Sequence, residues 1–257
     1  MPDFKYIPLC LFSFLFSGIY NVPSQEYPTI QSGINAADHG DTVLVDQGVY
    51  YENLQITKSI TLTSYAIFDD LTDWNAFNEI FWQWEVINEN INNTIIDGGQ
   101  STDGFGSTIL ISSDFSCQSN EQSWQCNNAQ GCIWDYDDGA CFSVEDCINP
   151  EIIGFTIQNG IGTSVKRNPD TAFEETQILG GGILFDVSNP IIEYNQFINN
   201  GDGENCSNRD DCTDEGGALY STTSHEDWDF NNRSSSVSRC DISEFSLSNN
   251  LLSLIHI

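Results

Sequence analysis

Basic residues are scarce in this chain, and their scarcity excludes the partners that positively charged surfaces bind. The 257 residues include 7 lysines and arginines against 38 aspartates and glutamates, a formal charge of −31. A surface this anionic repels phosphate groups, which excludes nucleic-acid binding and disfavours docking on anionic lipid. Hydrophobic residues nevertheless make up 39% of the chain. That content is too high for a disordered acidic tail and predicts a folded, globular protein.

Hydrophobic runs long enough to cross a membrane are also missing. The apolar run at residues 6–20 is shorter than the ~20 residues of a membrane span and has the length of a signal-peptide core. We therefore predict a signal peptide over residues 1–24, a secreted or cell-surface protein, and no membrane span after cleavage. A buried N-terminal strand is the alternative.

The last six residues, 252–257, have the sequence that a common sequencing-library adapter encodes in frame. This match predicts that residues 252–257 are a non-native tail and that the chain is an N-terminal fragment of a protein that continues past Leu251. A natural hydrophobic strand is the alternative interpretation of the same residues.

Paired C-x-x-C motifs and neighbouring histidines are absent around the cysteines, which favours disulfides over the alternative, a zinc site. Nine cysteines occur, and the first lies in the predicted signal peptide. In an exported protein the other eight are expected to form disulfides. They are Cys117, Cys126, Cys132, Cys141, Cys147, Cys206, Cys212 and Cys240. They form clusters of five and three, so either one bridge joins the clusters or a partner is missing from the chain.

The hydrophobic pattern predicts one short helix followed by many short strands. Apolar residues at Ile30, Ile34 and Ala37 have helical spacing, with Thr29 as the N-cap. After this helix the apolar runs are short, β-branched and bounded by Asn, Asp, Gly or Ser. The predicted strands lie in 43–45, 54–56, 60–62, 94–96, 108–111, 152–157, 182–185, 190–192, 196–198 and 218–220.

Repeated phrases with insertions between them indicate that these strands form a solenoid. Residues 155–160 (FTIQNG) are echoed by 197–201 (FINNG), and 180–185 (GGGILF) by 216–220 (GGALY). One coil buries too few side chains to be stable alone, so successive coils must stack. Asparagine at repeated corners suits left-handed turns and predicts ladders of side-chain hydrogen bonds.

The segments 27–37 (YPTIQSGINAA), 40–45 (GDTVLV), 48–54 (GVYYENL) and 58–62 (KSITL) resemble the capping helix and first coil of the pectin-lyase-like superfamily. The later GFTIQNG and SNPIIEYNQFINNG phrases resemble its generic repeats. The resemblance implies an all-β fold, a right-handed parallel β-helix over residues 25–251 with a short N-terminal capping helix. Two stretches that do not fit a coil, at about 65–93 and 113–147, are predicted insertions, the second one Cys-rich.

Two kinds of ligand site are candidates. Trp74, Trp82 and Trp84 in the first insertion have flat faces that could stack on sugars, although a hydrophobic staple holding the insertion to the coils is the alternative. Clustered acids in turns suit Ca²⁺, the one cofactor considered, although solvated turns are the alternative. These acids are Asp135, Asp137, Asp138, Asp210, Asp211 and Asp214.

No catalytic residue is assigned from the sequence. The segment 48–52 (GVYYE) resembles the G-x-Y-x-E segment of pectin methylesterases, but no later segment supplies the paired aspartates and arginine of those enzymes. The leading prediction is therefore a secreted or cell-surface scaffold that is adhesive or binds an extracellular polysaccharide or cell-surface glycan. The alternative is a polysaccharide-active enzyme, a lyase or esterase of acidic polysaccharide.

Overall fold

The computed structural model describes most of the first 200 residues and two short segments beyond them. The described residues are 17–100, 105–113, 117, 122–129, 132–135, 140–143, 147–167, 175–186, 188–201, 218–221 and 246–252. The predicted all-β class is confirmed, because strands outnumber helices and assemble into three parallel sheets.

Short parallel strands build the three sheets. The first contains β1 (Ile19–Val22), β2 (Thr42–Val45), β5 (Thr61–Ser64), β12 (Glu151–Ile153), β17 (Ile191–Glu193) and β20 (Ser246–Ser248). The second contains β3 (Gly48–Tyr50), β8 (Thr94–Asp97), β13 (Thr156–Gln158), β18 (Gln196–Ile198) and β21 (Leu251–Leu252). The third contains β4 (Leu54–Ile56), β9 (Ile109–Ser112), β16 (Ile183–Asp186) and β19 (Leu219–Ser221).

The chain passes through the three sheets in the same order again and again. After β1, the passes are β2–β3–β4, β5–β8–β9, β12–β13–β16, β17–β18–β19 and β20–β21. We call each pass a coil. Equivalent strands of successive coils pair in parallel, as in the register Val43, Leu62 and Ile152 of the first sheet. The period-two alternation of each strand therefore repeats in register from coil to coil.

The core is the line of inward side chains that this register stacks. In the second sheet Ile96, Ile157 and Phe197 are aligned and buried. In the third sheet Ile109 and Ile183 are aligned and buried in the same way. Each coil contributes only a few apolar side chains, so burial depends on the neighbouring coils.

Asparagines lie at several of the corners, as predicted. Asn159, Asn199 and Asn249 have positive φ angles of 61°, 51° and 54°. At the corner between the first and second sheets, the buried Asn195 side chain accepts a hydrogen bond from Phe155 N at 3.0 Å and donates one to Ile152 O at 2.8 Å. In the next coil Asn250 Oδ1 accepts from Asn195 N at 3.0 Å. These bonds satisfy backbone groups that the turn leaves without strand partners.

Helix α1 (Ile30–Ala36) covers the first coil and confirms the predicted helix. Ile30 and Ile34 are buried on the core side. The Gln31 side chain accepts a hydrogen bond from Gln55 N at 2.8 Å and donates one to Gln55 O at 3.1 Å. The helix thus binds the backbone edge of β4, which is the edge strand of the third sheet among the described strands.

Strand β1 lies inside the range 1–24 that the sequence assigned to a signal peptide. It pairs with β2 in register from Ile19 to Val22, and Val22 is 1% exposed. Cleavage after Ser24, the end of the predicted signal peptide, would remove this strand. At the other end Leu252, the first residue of the predicted tail, continues β21 in register with Phe197. Residues 1–16 and 253–257 lie outside the described part of the chain.

Further elements leave the three sheets between strands. The first insertion holds a 3₁₀ helix (Tyr65–Phe68), β6 (Asn75–Asn78), β7 (Gln83–Val86) and α2 (Glu89–Asn93). The second holds α3 (Ser123–Cys126), β10 (Cys132–Asp135) and β11 (Ala140–Ser143). An antiparallel hairpin of β14 (Thr163–Arg167) and β15 (Glu175–Leu179) was not predicted.

Disulfides staple the second insertion, as the cysteine content predicted. Cys117 is bonded to Cys132 and Cys126 to Cys141, each bridge closing a sequence separation of 15. Cys147 is disulfide-bonded as well, and the other four described cysteines are already paired with one another. Cys206, Cys212 and Cys240 lie outside the described residues.

Candidate ligand-binding surface on the first insertion

A small apolar cluster fastens the first insertion to the coils. Trp74 is 6% exposed and packs with the buried side chains of Val86 and Ile91. Its ring meets Tyr194 of a later coil edge-on, with centroids 6.0 Å apart. The assignment of Trp74 to a sugar-stacking platform is therefore corrected: its face is covered, and the residue is the staple that the alternative interpretation described.

The hairpin of β6 and β7 presents the other aromatic residues to solvent. Phe77 is directly opposite Trp84 in the antiparallel register, and their ring centroids are 5.6 Å apart. The ring centroid of Trp82, in the turn, lies 6.1 Å from that of Phe77. Trp82 is 81% exposed and Trp84 56% exposed. Two of the three predicted tryptophans thus lie on one exposed aromatic surface, which we call the aromatic hairpin (residues 77–84).

Hydrogen bonds fix the hairpin at the ends of its strands and tie it to the buried Trp74. Asn78 Nδ2 donates a hydrogen bond to Glu85 Oε1 across the strands at 2.9 Å. At the end of β7, Ile87 N and Asn88 N both donate to Trp74 O, at 2.9 and 3.1 Å. The exposed rings are consequently carried by backbone that is bonded to a buried residue, which lowers the entropy lost when a ligand stacks on them.

An open groove of about 500 Å³ lies beside the start of the same insertion. Its walls come from the corner after β2, from the 3₁₀ helix and from α2. The lining residues are Asp46, Gln47, Tyr65, Phe68, Asp69 and Asn90. The Tyr65 and Phe68 ring centroids are 6.0 Å apart, and Phe68 is 70% exposed. The groove combines an aromatic pair with carboxylate and amide groups, a set that can contact both faces and hydroxyls of a sugar.

Hydrogen bonds fix the polar side of this groove. Gln47 Nε2 donates to Asn90 Oδ1 at 2.9 Å, and Asn90 Nδ2 donates to Asp69 Oδ2 at 2.8 Å. Asn88 Nδ2 donates to the same Asp69 oxygen at 2.9 Å. Asp69 is therefore oriented before any ligand arrives. Sequence reasoning missed this groove, and the one available signal was the three-residue spacing of two aromatic residues after β5.

The predicted calcium ligands fall largely outside the described residues. Asp137, Asp138, Asp210, Asp211 and Asp214 are among the residues that the structure does not describe. Asp135 ends strand β10, and only its backbone is described. The calcium prediction therefore remains a prediction.

Among the described cysteines, four are paired in disulfides, which bears on the zinc alternative for the second insertion. The Sγ atoms of Cys117, Cys132 and Cys141 lie within 4.8 Å of one another. All three belong to disulfides, so none of them is a thiolate that could bind a metal ion.

The glutamate of the G-x-Y-x-E segment caps helix α1. Glu52 Oε1 accepts from Ile30 N at 2.9 Å and Oε2 accepts from Gln31 N at 3.0 Å. Thr29 Oγ1 accepts from Ser32 N at 3.1 Å, which completes the cap of the first turn. The carboxylate is thus placed between a coil corner and the helix end, where its contacts explain the residue without catalysis.

Lys58 donates hydrogen bonds to backbone carbonyls at the C-terminal end of helix α1. Its Nζ donates to Asn35 O at 3.1 Å and also to Ala37 O. Burial lowers the pKa of Lys58, while the charges of Asp38 and Asp41 act to raise it. Hydrogen bonds from the backbone of Asp38 and of Gly18 lower the pKa of Asp41. These groups belong to the join between α1, β1 and the first coil.

The likenesses that comparison with known proteins gives are structural. No family model matches the chain, and no curated protein matches it. Among solved structures, pectin methylesterase PemA from Erwinia chrysanthemi is similar, with a TM-score of 0.35 and 13% sequence identity. The likeness covers 80% of this chain and 45% of that one, so this chain matches less than half of that enzyme's length.

Within the described residues, none of the helices combines the length and apolar character that spanning a membrane requires.

Proposed function

We propose that this protein is a secreted or cell-surface scaffold that binds an extracellular polysaccharide or cell-surface glycan through the first insertion. The proposed architecture is a right-handed parallel β-helix of the pectin-lyase-like kind, covered at its N-terminal end by helix α1. The three parallel sheets and the fixed order in which the chain passes through them support this architecture. The disulfides of the second insertion support an extracellular location.

The aromatic hairpin is the observation that carries the proposal. Large aromatic side chains are costly to expose, yet Trp82 and Trp84 are 81% and 56% exposed beside Phe77. The flat apolar faces of such rings pack against the C–H faces of sugars. Because the staple around Trp74 holds the base of the hairpin, the rings form a surface that is present before a ligand binds.

Binding of glycans by matched tryptophan variants tests the proposal. Wild type, Trp82→Ala/Trp84→Ala and Trp124→Ala are compared on a glycan array with and without Ca²⁺. Trp124 is 65% exposed on the second insertion, so its variant controls for the loss of an exposed tryptophan elsewhere. We expect the double variant to lose affinity by about tenfold or more, while Trp124→Ala binds like wild type. Absence of glycan binding under both conditions, or equal binding by all three proteins, would contradict the proposal.

The alternative function, a lyase or esterase of acidic polysaccharide, remains a prediction. The hydrogen bonds of Glu52 to helix α1 give that residue a structural role. Release of unsaturated uronides or of methanol by the purified protein would establish the enzymatic alternative, and such release would have to be assigned to residues other than those of the aromatic hairpin.

A further inference from the structure

The groove beside the first insertion differs from the aromatic hairpin in its charge. Two of its six lining residues, Asp46 and Asp69, are carboxylates, and its remaining groups are amides and aromatic rings. The chain around it carries a net charge of −31. An anionic sugar such as a uronate would meet like charges here, both in the groove and over the protein as a whole.

We propose that the groove binds a positively charged amino-sugar unit, such as glucosamine, of an extracellular glycan. This inference rests on the proposed function and adds the chemical class of the ligand. A sugar ring stacks on Tyr65 and Phe68, and its protonated amine is paired with Asp69 and Asp46. Aromatic faces attract cations as well as sugar C–H groups, so the ring pair and the carboxylates favour the same unit.

The geometry of Asp69 supports this selectivity. Its Oδ2 accepts hydrogen bonds from Asn88 and from Asn90, both at less than 3 Å. Asn90 is held in turn by Gln47 at 2.9 Å. A carboxylate held in this way loses little side-chain freedom when an ammonium group binds, which is the main cost of an exposed ion pair.

A set of oligosaccharides that differ in charge tests the inference by calorimetry at about pH 6, where an amine of ordinary basicity is protonated. The probes are oligomers of glucosamine, of N-acetylglucosamine and of galacturonate, with oligolysine as a cationic peptide. The protein variants are Asp46→Asn/Asp69→Asn in the groove and Asp73→Asn/Asp70→Asn outside it, which change the net charge equally. The variant Trp82→Ala/Trp84→Ala reports on the aromatic hairpin.

We expect wild type to bind the glucosamine oligomer about fivefold or more tightly than its N-acetyl counterpart, and galacturonate least. The groove variant loses this preference and the charge-matched control keeps it. Added salt weakens glucosamine binding to wild type more than to the groove variant.

The outcomes separate the inference from the proposed function. If neutral glycans bind and depend on Trp82 and Trp84, but no preference for the amine exists or the groove variant keeps it, the inference is overturned and the proposed function stands. If oligolysine binds as tightly as glucosamine and loses affinity in the same groove variant, the groove is a general cation site and the inference is overturned. If no glycan of any charge binds, both are overturned.

Discussion

Replacing Glu52 by glutamine should destabilise the N-terminal end of the fold. The two carboxylate oxygens accept the backbone hydrogen bonds of Ile30 and Gln31, at 2.9 and 3.0 Å. Glutamine retains one acceptor oxygen but turns an NH₂ group, itself a donor, toward the second N–H. One helix N–H then loses its partner, and the negative charge that favours a helix N-terminus is lost as well.

The expected loss of stability follows from the lost hydrogen bond and the lost charge. A hydrogen bond to a charged group contributes about 1.5–3 kcal/mol, and a charge at a helix end about 0.3–1 kcal/mol. Because one hydrogen bond persists in weaker form, we expect Glu52→Gln to lower the free energy of unfolding by about 2 kcal/mol. For a chain of this size that loss corresponds to a fall in Tm of about 4–8 °C.

Urea unfolding followed by circular dichroism and tryptophan fluorescence measures this loss. Glu79→Gln is the matched control, because Glu79 is an exposed glutamate in the turn of the aromatic hairpin. A Glu52→Gln protein as stable as Glu79→Gln would refute the capping role. If the variant were also to lose a polysaccharide-cleaving activity of the wild type while keeping its stability, Glu52 would have to be assigned to catalysis.

Three further predictions concern the corner residue Asn195, the buried Trp74 and the loss of stability at alkaline pH. Asn195→Ala should lower the free energy of unfolding by about 3 kcal/mol, as measured with urea, because it leaves buried backbone groups of two neighbouring coils without partners. Trp74→Ala should cost about 3 kcal/mol and expose residues 65–93 to limited proteolysis, since the staple loses its largest side chain. Burial, with the charges of Asp46 and Glu52, raises the pKa of Tyr50 from 10.0 to about 12. The folded state therefore holds this proton longer than the unfolded state, and stability is lost as pH rises from about 10 to about 12. Urea midpoints at about pH 8 and about pH 11 measure that loss, and Tyr50→Phe should reduce it.

Each of these predictions has an outcome that contradicts it. Asn195→Ala with wild-type stability would mean that the corner ladder contributes nothing. Unchanged proteolysis of Trp74→Ala, with Trp74→Phe as the conservative control, would mean that the insertion is held by other contacts. An alkaline loss of stability that is identical in Tyr50→Phe and wild type would assign the loss to other groups, such as Tyr20 and Tyr27, whose pKa values are also raised.

Local sequence patterns predicted the elements that depend on neighbouring residues. Helix α1 spans Ile30–Ala36 with Thr29 as its N-cap, as the spacing indicated. The strands at Leu54–Ile56 and Gln196–Ile198 have the predicted bounds. The apolar run 152–157 was predicted as one strand, but the chain turns at Gly154, where φ is +82°. A run that is apolar on both sides of a corner cannot be told from one continuous strand without knowing where the coil bends.

The candidate site depended on contacts that no local pattern contains. Residues of the groove are drawn together from positions 46 to 90, and their proximity follows from the packing of the insertion against the coil. Trp74 and Trp84 both lie among acidic and amide residues of the first insertion, so the local sequence does not distinguish them. Trp74 is nevertheless buried against Tyr194, whereas Trp84 is exposed. The role of Glu52 was missed for the same reason, because its helix partners lie more than twenty residues earlier.

The central claim is that the protein binds a glycan through the first insertion. Hydrogen–deuterium exchange with and without that glycan tests it most directly, because exchange maps the contact surface without altering a residue. The claim predicts slower exchange within residues 65–93 and at the corner 46–47, and unchanged exchange in the second insertion and along the other corners. Protection centred on the second insertion or on the strand faces of the coils would contradict it.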